Sequence, residues 1–288
     1  MTVYKEFAPA KINLTLKVLG KRPDGYHELE SLVAFADAGD YVTLDVSKPV
    51  GVTMSGPFAA SIAGENLLSV TLRRLSEAES RLRLGAVHLE KNLPVAAGIG
   101  GGSADAAAVI RAVQRANPEF LSKVDWLSVA RSIGADVPVC LESRAAWMTG
   151  IGEQVSALSG LPPLNAVLVN PLVPMPPDKT ARVFRGLGAA PLAPLEPRSQ
   201  PPGPFANAAE LRAFVKERGN GLQASACQVA PVIADILRAL GVTKGCEWAA
   251  VSGGGPTCFG VFSSAQRDAA DELQRARPGW WVRAVELG

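Results

Sequence analysis

The sequence predicts an α+β protein of two domains. Three observations predict it: alternating apolar strands near the start, a strand, glycine-rich loop and helix in the first half, and a helix, helix, hairpin, helix, strand succession in the second. A chain of 288 residues can bury a sizeable core in one large domain or two ordinary ones. Modest Gly and Ser enrichment over 150–161 places the boundary there, giving a first domain of 1–155 and a second of 156–288.

Residues 12–18 alternate strictly, setting Ile12, Leu14, Leu16 and Val18 on one face of a strand and Lys11, Asn13 and Thr15 on the other. Residues 41–47 alternate the same way, and between the two runs Pro23-Asp24-Gly25 is turn chemistry that presents Tyr26 and His27. Residues 86–92 read as a further strand through Val87 and Leu89, which Pro94 ends. Ala106, Val109, Ile110 and Val113 fall at helical spacing, and Asn117-Pro118 stops that helix. A second amphipathic helix over 124–133, with Leu127 and Ala130, closes at Gly134 and leaves Asp136 on a short connection before Pro138.

In the second half, residues 154–177 carry no charge over 24 residues, but six prolines make them loop and strand rather than a spanning helix. Six prolines within 189–205 suit an exposed connection. Helices are expected over 208–218 and 222–240, a hairpin over 247–262, a helix over 265–275 and a strand over 280–286.

Composition narrows the partners. Hydrophobic residues at 48% and charged residues at 19% are a globular balance, and a formal net charge of +2 with scattered Lys and Arg offers no nucleic-acid stripe or membrane-surface helix. A small-molecule partner is expected, with no nucleic acid, no membrane and no obligate protein partner. Cys140, Cys227, Cys246 and Cys258 form no CxxC pair, which argues for reduced thiols. Lys5 and Glu6 interrupt any apolar export stretch, so a cytoplasmic address is expected.

The segment PVAAGIGGGSADAAAV at 94–109 places Gly98, Gly100, Gly101 and Gly102 at the entrance of a well-patterned helix. Glycines let successive backbone N–H groups converge on an anion, and the helix N-terminus adds free donors and the positive end of its dipole. A bare turn would use four glycines wastefully. A dinucleotide fingerprint needs glycine where Ser103 stands, and a P-loop needs Gly-Lys, whereas no lysine lies between Lys91 and Lys123. Nucleotide phosphates held by backbone amides remain, and Ser103 either caps the helix or turns its hydroxyl to a phosphate or its metal ion.

Phosphoryl transfer asks a protein to position donor and acceptor and to neutralise oxygen charge, for which a lysine and a carboxylate near the acceptor serve. Lys11 on the first strand and Asp136 on its connection are candidates, although each taken alone reads as a surface charge. With only His27 and His88 present, no histidine-based triad or two-histidine metal site is easily drawn, and no metal-ligating side chains are assigned. Two readings stand open for His27, a satisfied polar neighbour of Tyr26 or a stacking and hydrogen-bonding contact to a ligand. The run SGGGPT at 252–257 reads first as a hairpin turn and second as another ligand-facing glycine loop.

Three motifs together, APAKINLTLKV at 8–18, PVAAGIGGGSADAA at 94–107 and VSGGGPTCFGVF at 251–262, resemble those of the small-molecule kinases that group galactokinase, homoserine kinase, mevalonate kinase and phosphomevalonate kinase. The resemblance implies a two-domain kinase fold, with an N-terminal ATP-binding domain, a ferredoxin-like C-terminal domain and the active site in the interdomain cleft. GKRPDGYHELESL at 20–32 and GADVPVCL at 134–141 resemble the branch whose acceptor carries a cytidine diphosphate group, implying ATP- and Mg2+-dependent phosphorylation of the 2-hydroxyl of its methylerythritol in the non-mevalonate isoprenoid precursor pathway. It further implies that Lys11 and Asp136 are the catalytic pair. Asn13, Tyr26, His27, Thr180 and Phe184 would hold the cytidine and erythritol parts, with aromatic rings sandwiching the base. Asn66 and the strand end at Lys91 would face the adenine. Pro94, Val95, Ala96, Ala97, Gly98 and Ile99, continuing through Gly100, Gly101, Gly102, Ser103 and Ala104, would wrap the triphosphate.

Overall fold

In the computed structural model, which describes residues 2–62, 66–193 and 199–288, the alternating N-terminal run is not one strand. β1 (Val3–Asn13) stops at Asn13, and β2 (Lys17–Lys21) resumes after a break. The long strand β3 (His27–Asp45) makes that break: the Leu32 carbonyl accepts from the amides of Leu14 at 2.8 Å and Thr15 at 3.3 Å, while Thr15 Oγ1 accepts from the Leu32 amide at 3.0 Å. Two residues facing one form a bulge. Lys11, Asn13 and Thr15 are buried along with Ile12, Leu14 and Leu16, so the run has no solvent face before Lys17.

Two compact units result. The first comprises Met1–Lys11, Ala38–Val95 and Gly100–Ser143, and the second Ile12–Asp37, Ala96–Ile99 and Arg144–Gly288. The expected cut at 155/156 was contiguous, whereas these units are interleaved. A strand of 19 residues is long enough to serve both, and β3 passes from one unit to the other after Asp37.

Within the first unit, β5 (Ala86–Glu90) pairs antiparallel with the later part of β3 and parallel with β4 (Gly51–Ser55). Its helices are α1 (Leu67–Ala78), α2 (Gly101–Ala116), α3 (Trp126–Ile133) and α4 (Val137–Glu142). Asn66 caps α1 by accepting from the Leu68 amide at 2.9 Å. The expected spacing of α2 holds, with Ala106, Val109, Ile110 and Val113 all buried and Asn117 at its C-terminal cap. α3 starts at Trp126 because Asp125 caps it, and it buries Trp126, Val129 and Ala130 while Leu127 faces solvent.

Within the second unit, the earlier part of β3 pairs with β2 and with β6 (Ala146–Gly150), which carries β7 (Gln154–Ala157). The sheet continues from β3 through β11 (Trp281–Leu287), β8 (Leu164–Asn170) and β10 (Cys258–Phe262) to β9 (Cys246–Val251), antiparallel throughout. Its helices are α5 (Lys179–Leu187), α6 (Ala208–Arg218), α7 (Gln223–Val229), α8 (Val232–Val242) and α9 (Gln266–Ala276). The single helix expected over 222–240 is two, because Pro231 lacks the amide a helix interior needs and instead caps α8. α5 occupies a stretch for which no helix was expected. Of the proline-rich connection, 194–198 lie outside the described residues, and its near end is tied down where the Leu192 amide donates to the Lys21 carbonyl at 2.8 Å. Among the described residues no helix is long and apolar enough to cross a membrane.

Candidate active site

Asp136 stands at the N-cap of α4, but its side chain makes no capping hydrogen bond. The carboxylate is therefore free for other work, and its Oδ2 lies 2.7 Å from Lys11 Nζ. Lys11 is 4% exposed and Asp136 38%, so the pair has one buried cation and one carboxylate open to an approaching hydroxyl. Arg111 of α2 braces this arrangement. It donates to the Cys140 carbonyl at 2.8 Å, to the Phe7 carbonyl at 2.6 Å and to Glu6 Oε2 at 3.1 Å, tying α4 and β1 to the same helix. The nearby Cys140 thiol is pushed up to about 12 by burial and is no nucleophile.

The glycine loop is shaped by its carbonyls. Ala97 O accepts from the Thr257 amide at 3.0 Å, and Gly98 O accepts from Ser252 Oγ at 3.1 Å. In a trans peptide the carbonyl and the following amide point opposite ways, so pinning these two oxygens aims the amides of Gly98 and Ile99 away from the late turn. Gly98 has φ +77°, and a methyl group there would collide with the Gly255 carbonyl oxygen. At φ +63°, Gly100 is the N-cap of α2, so Ser103 does not cap the helix and its hydroxyl is left for a ligand. The first bond of the ladder runs from the Ala104 amide to Gly100 O at 2.8 Å, leaving the amides of Gly101, Gly102 and Ser103 outside it. Free amides at the N-terminus of a helix are donors suited to an anion. Pro94 and Ala97 are buried, while Val95 and Ala96 are exposed at the loop's outer edge.

Lys91, expected to face the adenine, is instead turned into the core. Its Nζ lies 2.6 Å from Asp40 Oδ2 and 2.6 Å from Asp105 Oδ2, and its amide donates to Ser55 O at 2.8 Å. Asp40 Oδ1 also accepts from the amides of Asn92 and Leu93 at 2.5 and 2.8 Å, so this cluster fixes the entry to the glycine loop. Burial pushes the Asp105 carboxyl up, to about 8, against the pull of Lys91 and with the help of Asp40. Neither aspartate was singled out from sequence; the nearest signal was Asp105 two residues beyond Ser103.

The second unit gathers other expected residues. Asn13 donates from Nδ2 to Ser31 Oγ at 2.7 Å, and its amide donates to Ser252 Oγ at 3.2 Å. His27 and Phe184 stack directly on each other, ring centroids 4.8 Å apart and planes at 26°. No third ring fits between these two at that spacing, so a base meeting the pair would stack on an outer face. Burial, and then Lys21, lowers the His27 pKa, which favours a neutral imidazole able to donate and accept. Tyr26 is 60% exposed and makes no aromatic contact with the stack, and Thr180 is exposed in the first turn of α5. Among the described residues no group of three or more His, Cys, Asp or Glu could hold a metal ion.

Comparison with known proteins places these features in company. The family described as GHMP kinases N terminal domain matches residues 66–144, and that described as GHMP kinases C terminal matches residues 205–280. Over 294 residues the chain is 50% identical to a 4-diphosphocytidyl-2-C-methyl-D-erythritol kinase of Methylobacterium radiotolerans, with all of both chains covered. It is 46% identical to the kinase of that name from Parvibaculum lavamentivorans, with 98% of each covered. A crystal structure of 4-(cytidine 5'-diphospho)-2C-methyl-D-erythritol kinase superimposes with a TM-score of 0.75 at 31% identity, covering 99% of each chain. The mevalonate kinase of L. major in complex with R-mevalonate superimposes at 0.64 with 13% identity over 98% of this chain and 95% of that one, a likeness of fold alone.

Proposed function

The chain belongs to the GHMP kinase family, and within it to the 4-diphosphocytidyl-2-C-methyl-D-erythritol kinases, and from that premise we propose how its own residues perform the transfer. The reaction is ATP-dependent phosphorylation of the 2-hydroxyl of 4-diphosphocytidyl-2-C-methyl-D-erythritol, a step toward isoprenoid precursors. The observation that carries the assignment of roles is the Lys11–Asp136 pair at 2.7 Å. Asp136 takes the proton of the acceptor hydroxyl as its oxygen bonds to the γ-phosphorus and the bond to the ADP oxygen breaks. Lys11 holds that carboxylate in place and polarises the acceptor.

The amides of Gly98 and Ile99, with those of Gly101, Gly102 and Ser103, support a reading in which the loop holds the triphosphate. Magnesium belongs to the proposal: it would neutralise phosphate oxygens, and Ser103 Oγ is the side chain of the loop suited to it. Such an ion needs few protein ligands when phosphates supply the rest. Asn13, Tyr26, His27, Thr180 and Phe184 form the proposed cytidine and erythritol contacts, and Asn66 the adenine side. The cytoplasmic address stays part of the proposal, supported by four free thiols.

The test is phosphate transfer from ATP followed by mass spectrometry, with the cytidyl substrate, homoserine and mevalonate in parallel. The expected result is a product heavier by one phosphoryl group from the cytidyl substrate alone. Transfer to another alcohol instead would overturn the assigned substrate and the roles of Tyr26 and His27.

A further inference from the structure

Lys179 is a buried residue of the second unit that the proposed chemistry does not use. It opens α5 and is 7% exposed. Its Nζ donates to the Gly255 carbonyl, and among the described residues no carboxylate pairs with it. The neighbouring Asp178 is committed elsewhere, 2.8 Å from Arg182 and 3.3 Å from Arg185. Burial lowers the Lys179 pKa to about 8. An ammonium buried on a single carbonyl is costly, and any apolar side chain of similar length would fill the space at less expense.

The carbonyl it holds belongs to the turn 252–257, which is built as a clamp. The Gly255 amide donates to Ser252 O at 2.9 Å, and the Ser252 amide donates to Thr257 O at 3.0 Å. Asn220 Nδ2 donates to Gly253 O at 2.8 Å, and Asn170 Nδ2 to Thr257 Oγ1 at 2.8 Å. From this clamp Ser252 Oγ and the Thr257 amide reach the carbonyls of Gly98 and Ala97. Val183, one turn along α5 from Lys179, lies against Gly254. The turn thus has a near side that grips the phosphate loop and a far side gripped by α5.

We infer that Lys179 is a positioning residue for phosphoryl transfer: through Gly255 it holds the turn that fixes the Ala97 and Gly98 carbonyls, and so aims the Gly98 and Ile99 amides. The inference rests on the reading of that loop as the phosphate cradle. It explains why a long donor occurs at the start of α5, a stretch for which no helix was expected.

The test uses the full chain carrying Lys179→Met, Lys179→Gln, Ser252→Ala, and Lys179→Met with Ser252→Ala. Amide hydrogen exchange is read without nucleotide, and initial rates are measured with ATP and the cytidyl substrate. Methionine removes the donor along with a buried charge, so the fold should be kept. In that variant, exchange within 94–104 and 251–258 should rise about tenfold while the rest of the chain is unchanged. Its kcat should fall about tenfold while KM for the cytidyl substrate stays within about twofold, the signature of a mispositioned cradle. Glutamine keeps an N–H donor without the charge and should restore part of the protection, which also covers a methionine variant that does not fold. The double variant should lose little more than the worse single one, because both release the same turn.

Unchanged exchange in 94–104 in the folded methionine variant, a glutamine variant that exchanges as fast as methionine, or losses that multiply in the double variant would each overturn the inference. A parent protein that shows linked exchange but transfers nothing to the cytidyl substrate would overturn the assigned substrate and leave the linkage standing. An active parent without linkage would do the reverse.

Discussion

Replacing Asp105 with asparagine should remove a pH-dependent cost from the first unit. Lys91 lies 2.6 Å from both Asp40 and Asp105, with side-chain exposures of 3%, 0% and 2%. One ammonium cannot neutralise two buried carboxylates, and Asp105 Oδ1 has no hydrogen-bond partner. Burial holds the Asp105 carboxyl up at about 8, against about 3.9 for an unfolded aspartate. Across that window the folded chain keeps a proton that the unfolded chain has released. Proton binding is then greater in the folded state, so stability is fully present below about pH 4 and falls as pH rises toward 8.

The slope approaches about 1.4 kcal/mol per pH unit, so raising the pH from about 5 to 7 removes about 2–3 kcal/mol through this one group. In Asp105→Asn there is no proton to lose, and Lys91 keeps Asp40 as a full counter-charge. The assay is urea unfolding followed by tryptophan fluorescence at several pH values in that interval, with the slope on urea checked for constancy. Relative to the parent, the variant should gain about 2–3 kcal/mol between pH 5 and 7, since groups common to both cancel. Parallel pH profiles for the two proteins would refute the reasoning.

Three further outcomes follow from the site. Asp136→Asn, which keeps the shape and removes the base, should lower kcat by about 10²–10⁴ while ATP affinity measured by calorimetry stays within about twofold. Gly98→Ala forces a side chain into φ +77° against the Gly255 carbonyl and should weaken ATP binding at least about tenfold by the same calorimetry. Phe184→Ala removes the ring stacked on His27 and should raise KM for the cytidyl substrate about tenfold with kcat little changed, in line with about 1–3 kcal/mol for a base–aromatic stack.

Much of the frame was legible because it depends on local pattern. The spacing of α2, the Asn117 stop and the β9–β10 hairpin are all set by residues near one another in sequence. What was illegible depends on distant partners. The break after Asn13 is made by the carbonyl of Leu32, and the interleaving of the units by a strand longer than one sheet requires. The split at Pro231 was readable, since a proline inside a supposed helix is a local signal. The Lys11–Asp136 pair joins residues 125 positions apart, so spacing could not show it; the resemblance of the surrounding motifs pointed to it.

Partner count is what separates the three buried lysines. Lys11, Lys91 and Lys179 are 4%, 2% and 7% exposed, and nothing in their letters tells them apart. Lys91 is held between Asp40 and Asp105, with Asp40 as its counter-charge, so its ammonium is fully committed and its work is to hold Asp40 beneath the entry of the loop. Lys11 has one carboxylate, and that partner is the exposed member of the pair, so the ion pair can be shared with an incoming hydroxyl without leaving a charge buried and unmatched. Lys179 has a carbonyl and, among the described residues, no carboxylate. A cation so placed gains only from the group it orients, which assigns it to the turn behind the loop. In the proposed mechanism chemistry falls to the lysine whose counter-ion faces outward, and the other two hold backbone on which that mechanism depends.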